Sequence, residues 1–189
     1  MLWVRNEVES EQVALQSADI TAALLRLLDR SILVASVYVD GKEGNVLGET
    51  IVLLDQLIRD TRHRVGTRVD VVLVGDFNAH DQLWGGDDIS LNRQGEADPI
   101  IDLMTEWSLR SLLRRGTRTW EKGAQTSTID LTFASHKLAS SLIRCGIHPT
   151  EHGSDHRAIE TMFDVETPAN IVSPRLAVEE VARYWKFVS

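Results

Sequence analysis

The chain has 189 residues, 43% of them hydrophobic and 25% charged, and carries a formal net charge of -8. That is an ordinary globular composition, long enough for one domain with a sizeable core. The acidic balance argues against a protein that coats polyanions non-specifically, but not against a nucleic-acid enzyme, because carboxylates gathered around a metal also lower the count. No apolar run approaches the ~20 residues of a membrane span, and the first five residues lack the basic start and apolar core of a signal peptide. The single Cys145 has no disulfide partner, and no Cys/His cluster suggests zinc. An intracellular, membrane-free protein is the expectation.

Residues 20–28 and 32–39 read as a hairpin across the polar pair Asp29 and Arg30. Leu24, Leu25, Leu27 and Leu28 leave a helix open for its first arm. Asp40-Gly41 and Gly44-Asn45 mark a loop. A helix is predicted over 49–65, with Ile51, Leu54, Leu57 and Ile58 on one face, Asp55/Arg59 and Asp60/Arg64 at i,i+4, and Gly66 as its stop. Val69, Val71, Val72, Leu73 and Val74 are too uniformly apolar for a half-solvated strand, so both faces should be covered. This strand ends in Gly75, Asp76, Asn78 and His80. Taken alone, that ending also suits a plain strand-to-loop boundary.

A loop with turn chemistry follows over 81–88, carrying Trp84. Asp98 then reads as a helix cap, Pro99 suits the first helical position, and Ile100, Leu103, Met104 and Trp107 repeat at helical spacing. Strands are predicted at 111–113, 117–120, 128–133 and 145–148, a helical turn or two at 136–141, and alternating residues at 156–165. Pro168 and Pro174 bracket a linker before a short amphipathic helix over 176–187. The domain boundaries are therefore 1–166 for the folded unit and 167–189 for linker and helix.

Four polar clusters fall at or beside predicted strand ends: Tyr38, Asp76 with Asn78, Asp130, and Asp155 with His156. Strand ends on one side of a sandwich converge in space. Together these clusters supply acidic oxygens for a hard cation, a base for water and donors to phosphoryl oxygens, which is what metal-assisted attack on a phosphate ester requires. Each is weak singly. Asp130 alone reads better as a buried, satisfied side chain.

The set resembles the endonuclease/exonuclease/phosphatase superfamily through Ser36-Val-Tyr-Val39, Gly75-Asp-Phe-Asn78, Ser127-Thr-Ile-Asp-Leu-Thr-Phe133 and Ser154-Asp-His156, in that order. More narrowly, Gly75-Asp-Phe-Asn-Ala-His-Asp-Gln-Leu-Trp-Gly85 and Ser154-Asp-His-Arg157 look like the endonuclease domain of non-LTR retrotransposons. The resemblance implies an α/β (α+β) four-layered sandwich, two mixed β-sheets face to face with helices outside, and Mg²⁺- or Mn²⁺-dependent nicking of DNA. It implies that Asp76 orients or deprotonates water and contributes to the metal, and that Asn78 holds that water and a phosphate oxygen. His156 donates to the phosphoryl oxygen, Asp130 fixes its ring, Asp155 assists at the metal, and Tyr38 binds the phosphate. His80 and Trp84 match a loop for which DNA contact and loop packing are equal alternatives. The tail around Tyr184-Trp-Lys186 resembles the lead into a reverse transcriptase, which implies a longer polyprotein and, for an active enzyme, nuclear work. A phosphatase or phosphodiesterase on a small phosphoester and a non-catalytic interaction domain are the competing readings.

One departure qualifies the resemblance. The family places a metal-binding Glu, and before it an Asn, on strands that precede the Tyr-bearing strand by more than the 37 residues standing before Tyr38. Glu7, Glu9 and Glu11 do not match that position, so the chain reads as N-terminally truncated. Weak or absent activity is expected, together with self-association through exposed sheet edges.

Overall fold

The leucine-rich first arm of the predicted hairpin is a strand. In the computed structural model, which describes residues 2–41, 45–66, 68–87, 89–93, 95–150, 153–166 and 184–188, β1 (Glu9–Val13) pairs with β2 (Ile20–Arg26) and β2 with β3 (Ser31–Tyr38), both antiparallel. Leu24 and Leu25 point to opposite faces of this strand and both are buried. Cover on both sides favours an extended chain, whose successive side chains alternate, over a helix with one apolar stripe.

The chain then crosses over through α1 (Val46–Val65) to β4 (Asp70–Asp76), which lies parallel to β3. Ile51, Leu54, Leu57 and Ile58 bury the predicted face of α1, and Gly66 N–H closes its end on Arg62 O. Asp55 and Arg59 pair at 3.1 Å as spaced. Asp60 and Arg64 do not: Asp60 accepts from Gln56, and Arg64 reaches Glu11 on β1. A tertiary partner has displaced the local one.

After α2 (Gln82–Gly85) and a 3₁₀ turn at Leu91–Arg93, α3 (Asp98–Trp107) begins with Asp98 inside its first turn rather than as its cap, which falls at Ala97. The chain continues through β5 (Leu109–Ser111), the short pair β6 (Trp120–Lys122) and β7 (Gln125–Ser127), β8 (Asp130–Ser135), α4 (His136–Ala139), β9 (Leu142–Ile147) and β10 (Ile159–Asp164). Tyr184–Val188 is a strand, β11, antiparallel to β10. The helix predicted over 176–187 is thus corrected at its C-terminal end; the remainder of it, and the predicted linker, lie outside the described residues.

Six strands form the large mixed sheet in the order β1-β2-β3-β4-β8-β5, and β11-β10-β9 form a smaller one. Side-chain alternation divides the core in two. Leu33, Ala35, Val71, Leu73, Leu131 and Phe133 face α1 and α3, whereas Ile32, Val34, Val72, Val74 and Ala134 face Phe163 of β10. Helix, large sheet and small sheet are therefore three stacked layers, matching the expected α/β architecture. The helical layer expected outside the smaller sheet has no counterpart among the described residues. No helix of the described residues is long and apolar enough to cross a membrane.

Candidate active site

Register builds the site. Tyr38 on β3 lies opposite Asp76 on β4, and Asp76 lies opposite Asp130 on β8, so three neighbouring strands present these residues side by side. Two-residue periodicity puts all three on the face of Val34, Val72 and Ala134, the face turned towards the smaller sheet. The apolar seam between the sheets thus ends in polar groups.

At the end of β4 the backbone must turn tightly. Gly75 has φ +141°, and a Cβ there would stand 1.9 Å from Val37 O. Asn78 adopts left-handed φ 45°, a conformation Asn tolerates better than most side chains. The turn closes on Asp76: Oδ1 accepts from Asn78 N at 2.9 Å and Oδ2 from Asn78 Nδ2 at 3.0 Å. Nδ2 also donates to Val39 O at 2.8 Å. Both amide hydrogens of Asn78 are therefore spent inside the protein, and only its carbonyl oxygen is left to bind anything else.

His156 approaches from the turn that precedes β10. Its Nδ1 lies 3.1 and 3.0 Å from the two oxygens of Asp130. A carboxylate only accepts, so Nδ1 carries the proton and Nε2 is left for a ligand. Asp76, Asp130 and His156 offer ligand atoms that all lie within 4.8 Å of one another. Burial, with the neighbouring Asp130 charge adding to it, pushes the Asp76 carboxyl up to about 6 against the hydrogen bonds from Asn78.

Of the predicted site residues, Asp76, Asn78, Asp130 and His156 are brought together, and Tyr38, half exposed, stands in register beside them. Asp155 is adjacent but outside the cluster, its Oδ2 accepting from Trp120 Nε1 at 3.2 Å. Trp84, 1% exposed, is a core residue. Its Nε1 donates to Ala79 O at 3.1 Å and its ring meets Phe133 edge-on. Its surface and its one donor are thus used within the core. His80 is half-buried and accepts from Arg93 at Nδ1, with Glu96 at 3.7 Å; burial and then the Arg93 charge lower its proton affinity. Glu7, Glu9 and Glu11 are engaged with Arg5, Arg26 and Arg64.

Sequence reasoning missed Thr119. Fully buried, its Oγ1 accepts from the backbone amides of Ile129 and Asp130 at 3.1 and 3.0 Å, anchoring the start of β8. A threonine in a predicted strand carries no sign of such a role.

The sequence profile of the endonuclease-reverse transcriptase family matches residues 32–160. No curated protein matches the chain in sequence. Among solved structures it is similar to the endonuclease domain of TRAS1, a telomere-specific non-LTR retrotransposon, with TM-score 0.65 and 18% identity over 81% of this chain and 65% of that one. The chain thus spans less than two thirds of that domain. An AP endonuclease from Archaeoglobus fulgidus gives TM-score 0.59 and 18% identity, covering 84% and 72%. A 3'-5' exonuclease from Neisseria meningitidis gives 0.58 and 18%, covering 83% and 71%. At these identities the likeness carries the fold. With the family profile covering more than half of its length, the chain belongs to the endonuclease-reverse transcriptase family, within the endonuclease/exonuclease/phosphatase superfamily.

Proposed function

We propose that the chain is a divalent-metal-dependent DNA endonuclease that hydrolyses one phosphodiester by attack of water, as in target nicking by a retrotransposon. The observation that carries this reading is the convergence of Asp76, Asp130 and His156 within 4.8 Å at the mouth of the inter-sheet seam. The donor set fits Mg²⁺ or Mn²⁺: the Asp76 and Asp130 carboxylates stand close together, and hard oxygen ligands suit such a cation. Asp76 and Asp130 would hold the cation, with the His156 ring at its margin. A cation bound there polarises the phosphoryl oxygen and offsets charge on the leaving oxygen.

The chain's own groups account for the remaining steps. Asp76 stands where its carboxylate can accept a proton from the attacking water. The free carbonyl oxygen of Asn78 accepts from the same water and holds its lone pair towards phosphorus. Asn78 does not also donate to a phosphate oxygen, contrary to what the resemblance implies, because its amide has no hydrogen left to give. In its doubly protonated form His156 keeps Nδ1–H on Asp130 and donates Nε2–H to the phosphoryl oxygen as charge grows there. The Tyr38 hydroxyl supplies a second donor.

Among the described residues no glutamate joins the cluster. Mg²⁺ relies on few protein ligands in strict geometry, so weak cation binding and slow turnover are expected. Incubating the chain with supercoiled plasmid and, separately, with inositol phosphates tests the substrate. Nicking of the plasmid alone supports the proposal; hydrolysis of the small phosphoester alone replaces it with a phosphatase.

A further inference from the structure

The three residues Thr119, Trp120 and Glu121 touch both halves of the Asp130/His156 pair. On one side, Thr119 Oγ1 accepts from the amide of Asp130. On the other, the strand clasps the turn that carries His156. Glu121 N donates to Asp155 O at 2.8 Å and Arg157 N to Thr119 O at 2.7 Å, while Trp120 and His156 form an isolated antiparallel bridge. Two side chains add to the clasp: Trp120 Nε1 donates to Asp155 Oδ2 at 3.2 Å, and Glu121 pairs with Arg157 at 3.8 Å.

Among the described residues, burial gives the turn little support. Gly153, Ser154 and Asp155 are exposed, and Gly153 sits at φ 73° in a region other residues avoid. Within the turn, His156 N donates to Ser154 Oγ at 3.1 Å. Among the described residues, hydrogen bonds to Thr119, Trp120 and Glu121 hold this turn beside Asp130, and the indole is a side-chain donor among them.

We infer that Trp120 is a positioning residue: by holding the Asp155 carboxylate, its indole N–H fixes the turn that presents His156 to Asp130. The inference rests on the proposed hydrolytic role of His156 for its effect on rate, but its structural part stands apart from any activity. Trp120 touches neither substrate nor reacting atoms in this account. It acts through Asp155 and the ring it orients.

The test is Trp120→Phe, which keeps an aromatic ring and removes the donor. Glu121→Gln is the milder companion; Glu121 is exposed, and the change weakens the same clasp without touching the core. Long-range ¹H–¹⁵N spectra of the full chain, with His156→Ala used for assignment, report the His156 Nδ1–H directly. In Trp120→Phe this signal should broaden or shift, and kcat for plasmid nicking should fall about 10- to 100-fold with KM unchanged, the range seen when groups orienting a reacting side chain are lost. Glu121→Gln should move both readouts in the same direction by less, and it decides the matter if Trp120→Phe does not fold. Unchanged His156 spectra in the folded variants would overturn the inference, as would changed spectra with unaltered kcat in an active enzyme. Should the wild-type chain nick nothing, the proposed function fails while the spectra still decide the positioning role.

Discussion

His156 Nδ1 meets both carboxylate oxygens of Asp130, at 3.1 and 3.0 Å, across the opening between the two sheets. One partner begins a central strand of the large sheet, and the other stands just before a strand of the small one. The contact therefore makes the reacting geometry depend on how the sheets are stacked. Asp130→Ala should release the ring and remove one of the two carboxylates proposed for the cation, lowering kcat for nicking by at least about 10- to 100-fold and raising the cation concentration needed. Steady-state kinetics on plasmid DNA measure it.

The pH dependence of stability should carry the signature of Asp76. Its folded-state value is raised from 3.8 to about 6, so between these values the folded protein binds more protons than the unfolded one. Stability from this group is greatest below about 4 and falls as pH rises through 6. Asp76→Asn removes the titration. The melting temperature of the wild-type chain relative to this variant should therefore rise as pH is lowered from 8 to 5, and added Mn²⁺ should raise the wild-type value above pH 6. Differential scanning fluorimetry across pH reads both.

Gly75 should resist replacement. An alanine methyl would meet Val37 O at 1.9 Å, and the φ of +141° is itself unfavourable for a side chain. The backbone conformation alone costs about 1–3 kcal/mol, and the steric collision adds to it. Gly75→Ala should therefore lower the urea midpoint markedly and, by moving Asp76, abolish cation binding in calorimetric titrations.

Trp84 separates packing from recognition. As a fully buried ring set edge-on to Phe133, it should cost about 3–5 kcal/mol of stability when replaced by alanine. Trp84→Phe, which retains much of the packing, should leave KM for DNA unchanged. A raised KM with unaltered stability would restore the contact role.

Legibility in the sequence followed the range of the interactions involved. The central strand of the large sheet was readable because cover on both faces demands an unbroken apolar run, and Val71, Val72 and Leu73 are indeed inaccessible. Four strand-end clusters could be gathered because carboxylate, amide and imidazole at such places are chemically conspicuous. What escaped was set by distant partners. Arg64 pairs with Glu11, 53 residues away, instead of the nearer Asp60. Trp84 looked like a loop aromatic because its neighbours are polar; only the assembled sheet supplies Phe133. Thr119 and Trp120 gave no chemical signal at all, since their roles lie in what they hold.

The central claim is that Asp76, Asp130 and His156 form a cation-dependent phosphodiesterase centre. Its most direct test is the nicking rate of supercoiled plasmid against Mg²⁺ or Mn²⁺ concentration for the wild-type chain, Asp76→Ala and His156→Ala. Slow, EDTA-sensitive nicking that needs high cation concentration and disappears in both variants is expected. Nicking that survives both substitutions, or a wild-type chain that shows neither nicking nor saturable cation binding, would contradict it.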